Sequence, residues 1–459
     1  MRPRNVVARD QLLPALRRME HPSATALAAA LQVAVPTVHK FIAELPRGQV
    51  VTAGLSRRTR YAAARPLRGS ESPIPLYAVN TQGDATQVST LSLVYPQGTL
   101  LPMDTMAWPV PAESRDGWWG GLPYPLYDMR PQGYLGRNFA RREHAALQVP
   151  PNPDDWTDDD VVYALSRAGS DTTGNLILGE EAYLQWLRNK LTPATPLTGN
   201  DLGEQYAALA VSALASGNAG SSAAGEFPKF TAWRLDGQAT PHVLVKFSGA
   251  GTSDAERRWA DLLICEHLSL ECATQLRGVE SARTRIVQHA GRVFLEAERF
   301  DREGLHGRRP TCTLDALNAS FVGSASSDWS IMATRLHQDG IIDVNAVEAM
   351  TLLWWFGRLI GNTDMHLGNL SFHMAQVARL APAYDMLPMM YAPLPGGEVP
   401  HPEFTPLLPL PLQREGWSEA CTVAIEFWGH AGKDARISKA FQEICVLNAQ
   451  RLKSVAAQV

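Results

Sequence analysis

Apolar positions recur at helical spacing three times within the first 45 residues. Leu12, Leu13 and Leu16 open a short helix with Arg17 and Arg18 in its last turn, and His21-Pro22 interrupts the chain. Ser23 is placed to cap a second helix carrying Leu27, Ala30 and Leu31. After a turn at 32–35, Pro36 stands where a first helical residue should, and Val38, Phe41, Ile42 and Leu45 give the buried stripe. Residues 49–53 and 59–63 then read as two strands joined across 54–58. Three helices followed by a hairpin are the plan of a small winged helix-turn-helix domain, expected over residues 1–66.

The segment 66–76, rich in Pro, Arg, Gly, Ser and Glu, reads as a linker. Beyond it, 76–101 alternates like strands, with turns at Gln82-Gly83-Asp84 and Pro96-Gln97-Gly98. Residues 103–142 are thick with Gly, Pro, Trp and Tyr and have no clean period. Helical spacing returns near 159–168, 180–191 and 201–215, and strand-like runs occupy 228–248 and 284–300. From 254 onward the rest is largely helical, apart from a Pro-rich loop at 391–414. The pattern predicts an α+β body, a strand-rich lobe followed by a helical one. Its expected divisions are a strand-rich subdomain at 75–200, a small lobe at 201–302 and a helical large lobe at 303–459.

Composition narrows the class. With 459 residues, 45% hydrophobic and 19% charged, the chain is globular and too long for one ordinary core. Five cysteines form no CxxC pair, which argues against structural zinc. Their odd number, without a secretory signal, fits a reducing cytosol, so a cytoplasmic location is expected. The best apolar stretch, 350–360, is far short of the roughly 20 residues a membrane span needs and contains Arg358. Charge is uneven. Residues 1–70 hold eleven arginines and Lys40 against Asp10, Glu20 and Glu44, a surplus of nine, while the whole chain carries −4. A basic head on an acidic body points to a polyanion, DNA, as partner of the head alone. Thr37, His39 and Lys40 would start the recognition helix, and Arg57, Arg58 and Arg60 would form the wing.

Candidate chemistry gathers in the second half. In Gly361-Asn-Thr-Asp364-Met-His366-Leu-Gly-Asn369, Asp364 and Asn369 have the D-x4-N spacing of a kinase catalytic loop. There the Asp faces an acceptor hydroxyl and the Asn turns back toward Mg²⁺. Taken alone, Asp364 reads more readily as an ordinary N-cap or turn carboxylate. However, twenty-one residues on, an apolar strand expected at 378–383 ends in Tyr384-Asp385, where a carboxylate can take the second metal position. Upstream, Lys246 interrupts the apolar strand Val243-Leu-Val-Lys246-Phe. A buried ammonium needs anions, which ATP phosphates and Glu256, opening the next helix at 254–268, could supply. An edge-strand lysine reaching to solvent is the plainer alternative. The glycine- and serine-rich run 217–229 suits a phosphate loop, and equally a flexible linker. Phe294 to Ala297, leading into Glu298-Arg-Phe-Asp-Arg302, could be the exit strand and adenine-binding hinge of a small lobe.

In order, these five pieces resemble the HipA family of kinase toxins over roughly residues 75–455. The resemblance implies a two-lobed protein-kinase-like fold, ATP and Mg²⁺ as cofactors, and transfer to Ser or Thr of a protein substrate. It further implies Ser222, Gly225 and Lys246 as ATP contacts, joined by Glu298 and Phe300 of the hinge and by His366 and Tyr384. Asp364 would be the catalytic residue, with Asn369 and Asp385 on the metal. Family members silence themselves by phosphorylating a phosphate-loop serine; Ser222 holds that position, with Ser221 beside it. HipA-type toxins usually work beside a separate antitoxin, whereas a winged helix here precedes the kinase in one chain, which resembles the YjjJ (HipH) branch. A separate antitoxin is therefore an open question, and Glu226-Phe-Pro departs from the more polar residues common at this point of the loop. An active kinase with a DNA-binding head is the leading expectation. A transcriptional regulator whose body senses nucleotide without turnover is the alternative, and a small-molecule hydroxyl as acceptor is a third.

Overall fold

The structure, a computed structural model, describes residues 3–193, 195–216, 227–234 and 242–459. The chain divides into two compact units, one formed by residues up to Val79, Ala85–Arg130 and Asp155–Leu191, the other by Asn80–Asp84, Pro131–Asp154 and the chain from Thr192 on.

The first unit begins with helices Pro3–Asp10, Leu12–Arg18, Ala24–Leu31 and Val35–Glu44, then pairs Val50–Ala53 with Arg60–Ala63. The helix at Pro3–Asp10 has no apolar stripe and was not expected. Ser23 caps as its position suggests, its hydroxyl accepting the Ala26 N–H at 3.1 Å. Leu12, Leu16, Leu27, Val38 and Phe41 form one core with Tyr61 and Ala63 of the hairpin. A five-stranded antiparallel sheet follows, in the order Trp118–Trp119, Thr99–Leu100, Ala85–Leu93, Ile74–Val79, Leu176–Leu178. Within the expected linker the chain makes a tight turn closed between Leu67 and Ser70, and the first strand starts at Ile74. Arg65, just before that turn, and Arg68, inside it, pair with Asp159 and Asp160. Ala62 shares a small core with Val94, Leu100 and Trp118, so the hairpin packs directly on the sheet.

In the second unit the antiparallel sheet runs Thr284–His289, Arg292–Glu298, His242–Phe247, Lys229–Trp233. Alternation along the central strand separates Val243, Val245 and Phe247, which pack with Tyr206 of helix Leu202–Ser216, from Lys246, which reaches helix Asp254–Ala273. The helical part holds Trp329–Gln338, Val344–Leu359, Arg414–Ala431 and Lys439–Ala456 around Phe356, Trp417, Phe427, Trp428 and Phe441. A further helix, Gly133–Leu147, lies in the stretch that lacked a readable period. The strand expected at 378–383 shrinks to Arg379–Leu380. No single helix among the described residues is long and apolar enough to cross a membrane.

Candidate active site

The loop with the D-x4-N spacing leaves the buried helix Val344–Leu359 through Gly361, at φ +72°. A side chain there would be strained, and its Cβ would fall 2.6 Å from Met390 Sδ, so glycine is required. Inside the loop one amide ties two segments together. Asn362 Oδ1 accepts the Asp364 N–H at 3.0 Å, and its Nδ2 donates to the Asp385 carbonyl at 3.1 Å. Asn369 Nδ2 donates to the Asp364 carbonyl at 2.7 Å. The His366 ring accepts the Gly368 N–H at 3.0 Å and caps the single turn Leu367–Asn369. Asp364 and His366 are exposed and Asn369 is buried. The loop thus offers a carboxylate to solvent while its own backbone is fixed.

Lys246, 4% exposed, is the centre of the charge arrangement. Its ammonium donates to both oxygens of Glu266, at 2.6 and 2.8 Å, and to the Asp385 carboxylate. Glu256 does not take part, contrary to expectation. It closes a capping box with Ser253 and accepts the Gly251 N–H, which holds its carboxyl below the usual range. Glu266 lies ten residues further along the same helix, on the stripe with Trp259, Leu262, Leu263 and Ala273, all buried. A carboxylate on that apolar stripe was the available signal. Burial pulls the Lys246 pKa down, but Asp385 and Glu266 outweigh it and hold it above its ordinary value. Burial works against the charged Asp385 too, yet Lys246 prevails and holds it at about 2. For Glu266, the most deeply enclosed of the three, burial wins and the pKa rises.

Asp385 itself has φ +54°, in the left-handed region. A non-glycine residue there costs about 1–2 kcal/mol unless local hydrogen bonds compensate. The preceding Tyr384 hydroxyl donates to the Gly368 carbonyl at 2.7 Å and meets Ser371 Oγ at 2.8 Å, binding this segment to the loop. Phe300 lies with its ring centroid 5.6 Å from Tyr384 and 5.9 Å from His373. Glu298 ends the strand Arg292–Glu298, its N–H donating to the Arg283 carbonyl at 2.9 Å. Lys246, Asp364, Asn369, Tyr384 and Asp385 are therefore one connected group, with Glu298 and Phe300 at the strand exit. Ser221, Ser222 and Gly225 lie outside the described residues.

Among the described residues no cluster of three or more His, Cys, Asp or Glu side chains has metal-ligand geometry. A cation held by phosphates and one or two protein oxygens, as Mg²⁺ commonly is, does not need such a cluster. Asn369 spends Nδ2 on Asp364, so Oδ1 is the atom it could offer a cation, and Asp385 could offer a carboxylate ionised at neutral pH. The residues present fit the ion.

The head residues fall in the first unit. His39 and Lys40 are exposed on helix Val35–Glu44, Thr37 is half-buried, and Lys40 lies 3.9 Å from Glu44. Arg57 and Arg58 are exposed in the turn Ser56–Arg58. Arg58 reaches Asp116 at 3.7 Å, whereas Arg60 donates to the Arg57 and Thr59 carbonyls, both at 3.1 Å.

Comparison with known proteins agrees in sequence and in fold. Residues 70–187 match the profile described as YjjJ-like toxin, middle domain, and residues 221–455 match HipA-like C-terminal domain. The Toxin YjjJ of Escherichia coli (strain K12) is 36% identical over 440 residues, covering 95% of this chain and 96% of that protein. Among solved structures, HipA from the Shewanella oneidensis MR-1 toxin–antitoxin complex of HipA, HipB and operator DNA superposes with a TM-score of 0.51 at 15% identity. That alignment covers 84% of this chain and 97% of the other.

Proposed function

This chain belongs to the HipA-like toxin family, in its YjjJ-like branch, and from that premise we propose that it is an ATP- and Mg²⁺-dependent serine/threonine protein kinase with a DNA-binding head. The observation that carries the reading is the single network joining Lys246, Glu266 and Asp385 to the loop of Asp364 and Asn369 through Asn362. A nucleotide-binding lysine, a hydroxyl-orienting carboxylate and two metal oxygens are the parts phosphoryl transfer needs.

Lys246 would bind ATP phosphates, with Glu266 keeping its ammonium charged and aimed. Asp364, exposed at the loop, would orient the acceptor hydroxyl and take its proton. The hydroxyl oxygen bonds to the γ-phosphorus as the bond to the β–γ bridging oxygen breaks, and ADP leaves. Bound Mg²⁺, held by Asn369 Oδ1 and Asp385, would neutralise charge on the phosphates. Glu298 and Phe300 would border the base, and Gly225, His366 and Tyr384 would complete the nucleotide site. Ser222, with Ser221 beside it, is the proposed site of self-phosphorylation.

The head, residues 1–66, is read as a winged helix that binds DNA, with Thr37, His39 and Lys40 entering a groove and Arg57, Arg58 and Arg60 along the backbone. A fused head makes a separate antitoxin dispensable in principle. The divisions at 75–200, 201–302 and 303–459 go with this reading. A nucleotide-sensing regulator without turnover is the second reading, favoured by the Lys246 bond that occupies the Asp385 carboxylate.

One experiment separates them. Purified protein, shown by mass to be unphosphorylated, is incubated with γ-labelled ATP and Mg²⁺ beside Asp364→Ala. Label on Ser222 or Ser221 that vanishes in the variant is the expected result. No incorporation by protein that still binds ATP would replace the kinase with the sensor.

A further inference from the structure

A residue in the left-handed region stays there only if its surroundings over-determine it, and Asp385 is such a residue, at φ +54°. Two side chains grip the peptides that follow it. Asn362 Nδ2 donates to the Asp385 carbonyl at 3.1 Å while its Oδ1 accepts the Asp364 N–H at 3.0 Å. Only the nitrogen can donate and only the oxygen can accept, so the two bonds together fix which way the amide faces. From the other side, the fully buried Ser269 hydroxyl reaches the Met386 carbonyl, sharing its one proton with the Glu266 carbonyl one turn back at 3.0 Å. Ser269 follows Glu266 by three residues, so one helix face carries both the partner of Lys246 and the clamp on the Asp385 segment.

We propose that Asn362 and Ser269 are positioning residues that lock the two peptide planes after Asp385 and so aim its carboxylate at the metal. The inference rests on the kinase reading. Neither side chain touches nucleotide or metal in this scheme. Asn362 also ties the position of Asp385 to the backbone of Asp364, so the metal ligand and the hydroxyl-orienting carboxylate keep one spacing. Ser269 adds the helix that bears Glu266 to the same unit.

The test uses the full-length chain with Ser269→Ala and Asn362→Ala. Mn²⁺ binding is followed by electron paramagnetic resonance in the presence of a non-hydrolysable ATP analogue, and binding of the analogue without metal is measured separately. Each variant is expected to bind Mn²⁺ about tenfold more weakly, the scale of lost outer-shell support, with metal-free nucleotide binding retained and phosphoryl transfer recovering as Mg²⁺ is raised. Unchanged Mn²⁺ affinity in folded variants overturns the proposal, as does an equal loss of metal-free nucleotide binding. Should Asn362→Ala not fold, Ser269→Ala, which removes a single oxygen, carries the test. Wild-type protein that binds no Mn²⁺–nucleotide would instead remove the kinase reading beneath it.

Discussion

A lysine 4% exposed in the second strand of a sheet persists because two carboxylates meet its ammonium, Glu266 on one side and Asp385 on the other. Removing the cation leaves two acids facing each other with nothing between them. Lys246→Met should therefore lower unfolding free energy by about 3–5 kcal/mol at neutral pH, read from urea midpoints. The difference depends on pH with a definite sign. Asp385 is held at about 2 in the folded chain against an ordinary 3.8, so its contribution is complete above the ordinary value and lost as pH falls through the lower one. The gap between wild type and Lys246→Met should thus narrow between pH 4 and pH 2. A gap that stays constant across that range would mean Lys246 stabilises by packing alone.

Helix Asp254–Ala273 begins at Ser253, whose hydroxyl accepts the Glu256 N–H at 3.2 Å while Glu256 reaches back to Ser253. This box is exposed and remote from the Lys246 bond, so the two ends of the helix should be separable. Ser253→Ala is expected to cost about 1 kcal/mol, seen as a lower melting temperature, with nucleotide affinity unchanged. A drop in nucleotide affinity of the same size as that of Glu266→Gln would show that the cap also aims the helix. Some such ends were readable in the sequence: Ser23 and the stripe behind it, and the helix start at 254, mark helices where they are found. Helix Gly133–Leu147 was not. Gln132 gives no side-chain cap, and the buried positions are Tyr134, Gly136, Ala140 and Leu147, two of them too small to register as an apolar stripe. The same logic covers the candidate site. Spacing singled out Asp364, Asn369 and Asp385, whereas Glu266, Ser269 and Asn362 became visible only once folding brought residues 20 to 139 positions apart into hydrogen-bond range. Glu256 was the nearer carboxylate in sequence, but a residue opening a helix satisfies backbone N–H groups first.

Across the whole chain the charge surplus of residues 1–70 overstates what a polyanion would meet. Arg65 and Arg68 are paired with Asp159 and Asp160, Arg58 lies near Asp116, and the Arg17 guanidinium sits 5.4 Å from the centre of the Tyr95 ring. Arg60 bends onto the carbonyls of its own turn. On the DNA reading proposed above, the Arg57 side chain, exposed in that turn, is the hairpin cation best placed to contact phosphate. Each phosphate contact adds about 0.9 to the slope of log K against log salt. Binding to duplex DNA measured between 50 and 200 mM salt should therefore show the slope falling by about one contact in Arg57→Ala. Arg65→Ala should leave the slope as it is and instead loosen the first unit, because its partner is a carboxylate of the same fold. Asp364→Ala should keep wild-type DNA affinity, since its carboxylate belongs to the second unit. A slope identical in Arg57→Ala and wild type would mean that the head's positive charge serves packing or a protein partner, and the DNA reading of residues 1–66 would fall.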